Sequence, residues 1–247
     1  MSALPPLQAE AERLARAVRP GASGHRRMGR DDGFWQFRHY QRGEPATMID
    51  WRQSARGNKL YVRERENETN PVVYLWTDHA DSMHAKSASG LPSKSERAQL
   101  LLLALSHVLL RDSVNVAWLD QPRITVQSMA ELDALSGRFH PLTHHESGIP
   151  PLAPLARSSR LVIGSDFSAN LDRWCDYIVA CSSSDKRGVI LHIVNPAEME
   201  STAFAKTNAR LVQFAKNIGW QYLSHITDKP PHTTLSLLHD LLAGELG

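Results

Sequence analysis

The stretch "YLWTDHADSMH", residues 74–84, concentrates side chains that could do chemistry. A buried-looking strand, "PVVYLWTD", ends on Asp78, and a short polar loop with His79, Asp81, Ser82 and His84 follows. A second strand, "RLVIGSD", ends on Asp166 in the same manner. In open α/β sheets the loops after the strands hold ligands. Carboxylates and hydroxyls in that position suit a hard divalent cation, which takes oxygen ligands. They also suit proton transfer.

Several reaction classes are excluded by spacing. A haloacid-dehalogenase-type phosphatase needs Asp-x-Asp after its first strand, whereas Asp78 and Asp81 are separated by two residues. That spacing does not place the second carboxylate as general acid. No Gly-x-Ser-x-Gly elbow occurs, "GSDFS" around Ser165 included. No Walker A loop occurs either, so the chain is not expected to hydrolyse ATP. The 12 histidines include His79, His84 and the adjacent His144 and His145. None has a helical His-x-x-x-His spacing with a third ligand nearby, so they read as surface residues, not a zinc centre.

The elements that must carry these residues alternate from residue 71 onward. "VVYLWT" is a continuous apolar run suited to a central parallel strand. "SKSERAQLLLLALSHVLLR" is helical, with Ser93 or Ser95 as N-cap. "VNVAWL" is the next strand, "RITVQ" its candidate hairpin partner, and "SMAELDALSG" a short helix. A proline-rich loop spans 140–159. "RLVIGSD", "SANLDRWCDYIVACSS", "GVILHIV", a helix over 203–218, "WQYLSHI" and "HTTLSLLHDLLAGE" complete the alternation. The expected fold class is α/β: a mainly parallel Rossmann-like sheet with right-handed crossovers and helices on both faces.

Ahead of this domain, residues 5–19 read as a helix, and 20–70 as an irregular, β-rich, arginine-containing subdomain with "LYVRERE" as a strand. The expected division is therefore 1–70 and 71–247. From Arg19 to Arg65, eleven Lys/Arg face five Asp/Glu, a local charge of about +6. The whole chain carries only +2, too little to argue for nucleic acid or membrane. With 247 residues and 42% hydrophobic content, the chain can bury a sizeable core. Two cysteines, Cys175 and Cys181, form no disulfide framework and suit a reducing compartment. "MSALPPLQAEAERLARAVRP" lacks the apolar core of a signal peptide, and the run around 100–110 is too short to span a bilayer. The expected location is the cytoplasm; a peripheral membrane complex is compatible with it.

"GFWQFRHYQRGEPATMIDWRQSARGNKLYVRERE", followed by a strand and "DHADSM", resembles the DUF58 family of bacterial proteins, which have a von Willebrand factor A-like domain. The matching positions are Tyr40, Gly43, Glu44, Ile49, Asp50, Trp51, Arg52, Ser54, Ala55 and Arg56. "VIGSDF", "VNPAE" and "GWQYLSHITDKPP" are similar too, while the segment between Glu198 and Gly219 looks shorter than the family's. The resemblance implies an association with MoxR-type AAA+ ATPases in protein or metal-cofactor maturation.

It also implies an ion site built on Asp-x-Ser-x-Ser, with a threonine and an aspartate from later loops. This chain reads Asp78-His79-Ala80-Asp81-Ser82, with Asp166 as the late aspartate. Asp78, Ser82 and Asp166 are thus the metal ligands of a degenerate site in which Ala80 replaces a ligand serine. For the threonine, Thr143 and Ser147 are poor candidates. A complete site would take Mg²⁺ or Mn²⁺; this one is expected to hold no cofactor. Asp78 and Asp166 would then cap helices and accept from loop N–H groups.

In the basic block, Trp51 is expected to pack the subdomain. Arg52, Ser54 and Arg56, with Glu44 and Asp50, are expected to meet a protein partner, since arginine suits bidentate recognition of carboxylates. Nucleic acid is not expected, because a basic patch without a recognition module is a weak footprint. The expected function is a non-enzymatic adaptor working with an AAA+ ATPase. The alternative is a metal-dependent, hydrolase-like enzyme using the loop after the first strand, with His79 or His84.

Overall fold

A computed structural model describes residues 6–18, 35–40, 47, 49–55, 59–65, 72–85, 90–119, 125–136, 148–150, 152, 155–156, 159, 160–168, 170–182 and 187–246. The chain divides into two compact units, one of residues 24–69 and one of 1–23 with 70–247.

The larger unit is a Rossmann-like α/β fold. Its six-stranded sheet contains β3 (Val72–Thr77), β4 (Asn115–Trp118), β5 (Thr125–Val126), β6 (Arg160–Ser165), β7 (Arg187–Val194) and β8 (Gln221–Ile226), in the order β5-β4-β3-β6-β7-β8. All neighbours are parallel except β5, which pairs antiparallel with β4 as the hairpin expectation has it.

Side-chain alternation along the strands feeds two cores. Val73 and Leu75 of β3 join one, Tyr74 and Trp76 the other. Val189, Leu191 and Ile193 of β7 repeat the first choice, and Ile190 the second. The first core is filled by α4 (Lys94–Arg111) and α8 (Pro231–Leu246), the second by α6 (Leu171–Cys181) and α7 (Thr202–Ile218).

Helix α4 is buried on all sides, from Leu100 through Leu109. Its polar start is set by a capping box: Ser93 Oγ accepts from Glu96 N, and Glu96 Oε2 accepts from Ser93 N. An all-round apolar helix needs cover on the side away from the sheet. Helix α1 (Pro6–Ala17) and α8 provide it. Gln8, Ala11 and Ala15 form the buried face of α1, Val18 just beyond it is buried too, and small alanines let the helix lie close to α4. Arg111, in the last turn of α4, donates to Ala15 O and Val18 O. The N-terminal helix is therefore packed into the α/β unit, whereas the sequence reading grouped it with the basic segment. Its C-terminal end is bonded by an arginine 93–96 residues away that local pattern does not reveal. Among the described residues, no helix is long and apolar enough to cross a membrane.

The smaller unit contains an antiparallel pair, β1 (Trp35–His39) and β2 (Tyr61–Arg65), and one helical turn, α2 (Trp51–Ser54). Ile49 forms an isolated bridge to Val62.

Candidate functional site

The sheet order creates a crevice. From β3 the chain moves outward to β4; from β6, on the other side of β3, it moves outward to β7. Ligand sites of open α/β sheets lie at such a switch point, beyond the carboxyl ends of the strands. Asp78 follows β3 and Asp166 follows β6, so the fold brings both predicted aspartates there. Asp78 N donates to Gly164 O at 2.8 Å, extending the β3–β6 pairing to the edge of the site.

Asp78 is 1% exposed. Its Oδ1 accepts from Ala80 N at 2.7 Å, and its Oδ2 from Ser165 Oγ at 2.5 Å. Burial pushes this carboxyl above its ordinary range, against the lowering effect of those two bonds. Gly148, at φ +62°, closes the other side: a Cβ there would lie 2.5 Å from Asp78 Oδ1. Gly148 O also accepts from Trp76 Nε1 at 3.2 Å.

Asp166 has a different partner. Its Oδ2 accepts from Lys94 Nζ at 2.7 Å, and both side chains are 3% exposed. Its Oδ1 accepts from Ser168 N at 3.0 Å. Lys94 also donates to Glu198 Oε1 at 2.6 Å. Glu198 lies in a 3₁₀ turn, Pro196–Glu198, and its Oε2 accepts from Asn195 N at 3.0 Å. Burial would raise the Asp166 carboxyl, but the Lys94 ammonium holds it below its ordinary value. Burial would lower Lys94, but Asp166 and Glu198 hold it above.

Ser82 is on the one-turn helix α3 (Asp81–His84), which the sequence reading treats as loop and which buried Met83 anchors. Ser82 Oγ accepts from Ser168 Oγ at 3.0 Å, so it reaches the Asp166 loop. His79 stacks edge-on to Trp76, with ring centroids 5.6 Å apart. Thr143 and Ser147 lie outside the described residues.

A pocket of about 210 Å³ opens beside Lys94, Asp166, Ser168, Glu198, His192 and Phe204. His192 Nδ1 is 2.8 Å from the Tyr222 hydroxyl, and burial lowers the imidazole to about 4. Phe167, between the rings of Trp174 and His192, is held at φ +50°. A buried non-glycine residue in this region is strained, and strain of this kind gathers at functional sites.

The donor set does not fit a divalent ion. Asp78 is turned to Ser165 and Ala80, and Asp166 is neutralised by an ammonium. A second cation about 4 Å from that ammonium would be repelled by roughly 4 kcal/mol per unit charge at an effective dielectric of about 20. Among the described residues, no three His, Cys, Asp or Glu side chains are grouped to hold a metal. Lys94, Glu198, Ser165 and Ser168 were not anticipated from sequence. One signal was available: a lysine directly after a helix N-cap opposes the helix dipole and calls for an acidic partner.

In the smaller unit, Asp50 caps α2, its Oδ1 accepting from Gln53 N at 2.9 Å. Asp50 N donates to Tyr61 O, and Tyr61 N donates to Ser54 Oγ, each at 2.9 Å. The turn thus grips Tyr61 through both its backbone groups. Ser54 is 6% exposed, so its hydroxyl holds β2 and does not face outward as a partner contact would. Trp51 is 62% exposed, which overturns its expected packing role: a single turn buries one side, and Ser54 takes it. Arg52 is exposed beside Trp51. Glu44 and Arg56 lie outside the described residues.

No curated protein matches this chain. Residues 36–124 match the family model described as "Protein of unknown function DUF58", a stretch that contains the Asp50–Ser54 turn, β3 and Lys94.

Proposed function

We propose that this protein is a non-enzymatic interaction protein that presents α2 to a protein partner. The observation that carries this reading is the exposed Trp51–Arg52 pair on a turn whose Asp50 carboxylate caps the helix and whose Ser54 hydroxyl holds β2. Tryptophan and arginine are the side chains that most often dominate binding energy at interfaces. We read the α/β unit as von Willebrand A-like and the partner as a MoxR-type AAA+ ATPase acting in protein or cofactor maturation. That assignment rests on the resemblance of the "IDWRQSAR" block and its surroundings.

The alternative, a metal-dependent enzyme using Asp78, Ser82 and Asp166, has less support. Each aspartate already has hydrogen-bond donors on both of its oxygens, Asp78 from Ala80 N and Ser165, Asp166 from Lys94 and Ser168 N, and Asp166 is paired with a positive charge that opposes a second cation.

The test is capture from lysate of the source organism with tagged wild type, Trp51→Ala and Arg52→Ala, followed by mass spectrometry. A MoxR-type ATPase recovered with wild type and lost with either variant supports the reading. Failure to recover one, or equal recovery with all three, sinks the partner assignment.

A further inference from the structure

Lys94 breaks two local rules. It puts a positive charge at the first position of a helix, where the backbone N–H groups already carry partial positive charge. Its ammonium is also withdrawn from water, with a side chain 3% exposed. Both costs are offset by acidic groups from other elements: Asp166 after β6, and Glu198 in the 3₁₀ turn after β7. Three segments far apart in the chain therefore converge on one nitrogen atom. Ser168, whose N–H donates to Asp166, lines the same pocket as Lys94, and its hydroxyl donates to Ser82. Asp78 is close enough for its charge and that of Asp166 to repel.

We propose that the Lys94 ammonium is the resident cation of this strand-end site, filling by a covalent tether the position in which a divalent ion would bridge the carboxylates. Without the ammonium, the carboxylates of Asp166 and Glu198 and the hydroxyl of Ser168 remain beside a pocket of about 210 Å³. Such an all-oxygen set suits Mg²⁺ or Mn²⁺. A tethered cation, unlike a bound ion, cannot be chelated or diluted away. Any partner that docks on this face does so independently of divalent metal.

The test uses the full chain and Mn²⁺ alone, with binding read by electron paramagnetic resonance and by thermal melting. Wild type is expected to show no Mn²⁺ site that depends on Asp166. Lys94→Ala is expected to gain one Mn²⁺ per chain, to melt higher with Mn²⁺ than with chelator, and to lose both effects when Asp166→Asn is added. Lys94→Gln, neutral and close in size, is read in parallel in case the alanine variant does not fold. The proposal is overturned if wild type binds Mn²⁺ through Asp166. It is equally overturned if neither Lys94 variant gains a site, or if a gained site persists with Asp166→Asn.

Discussion

The Lys94 ammonium sits 2.7 Å from the Asp166 carboxylate, with each side chain 3% exposed, and joins the start of α4 to the end of β6. A buried pair of this kind adds little over a well-packed apolar pair, but removing one partner leaves a buried charge without its counter-ion. Lys94→Met is therefore expected to cost about 3–5 kcal/mol in urea unfolding. Adding Asp166→Asn should recover part of that loss. Glu198→Gln alone should cost less, because Glu198 is 42% exposed and water can replace its role.

Gly148→Ala is expected to destabilise the protein by more than about 1 kcal/mol, because two effects act together. The backbone there is left-handed at φ +62°, and the new methyl would meet the Asp78 carboxylate. The melting temperature should fall. Tryptophan fluorescence should also shift, since Trp76 Nε1 bonds Gly148 O.

Acid should weaken the fold before it protonates most carboxylates. His192 is 3% exposed and His225 1% exposed, and burial lowers both imidazoles to about 4. The unfolded chain takes up these protons near pH 6.5, the folded one only near 4. The stability the neutral rings permit is complete above pH 6.5 and is lost as pH falls toward 4. The loss is roughly 1.4 kcal/mol per group for each unit of separation between the two values. Asp166, held below its ordinary value, acts in the same sense at lower pH; Asp78, held above, acts in the opposite one. Urea midpoints measured across this range check the slope, which should flatten when His192 and His225 are both replaced by Gln.

Trp51 and Ser54 should separate binding from stability. Trp51→Ala touches an exposed side chain and is expected to change stability by less than about 0.5 kcal/mol while abolishing capture of the partner. Ser54→Ala removes the acceptor for Tyr61 N and should cost about 1 kcal/mol or more. Circular-dichroism melts alongside the capture assay give both readouts.

Much of this architecture is legible along the chain. Apolar runs such as "VVYLWT" mark the buried parallel strands, because a strand covered on both faces has no polar side. A serine cap at 93 or 95, which the structure places at Ser93, the β4–β5 hairpin and the strand-end aspartates follow from patterns a few residues long. The Asp78 loop carries Ala80 where the resemblance calls for a serine. The partner of Asp166 could not be read there. Lys94 lies 72 residues from Asp166 and 104 from Glu198, and they meet because the strand order puts β6 beside β3 and β7 beside β6. The outward turn of Trp51 and the inward turn of Ser54 have the same origin: the short helix has one side to bury, and β2 supplies the backbone N–H that claims it. Local periodicity sets which residues share a face. Which charges neutralise one another across the chain depends on packing at long range, where a buried ion must find its counter-ion or shed its charge.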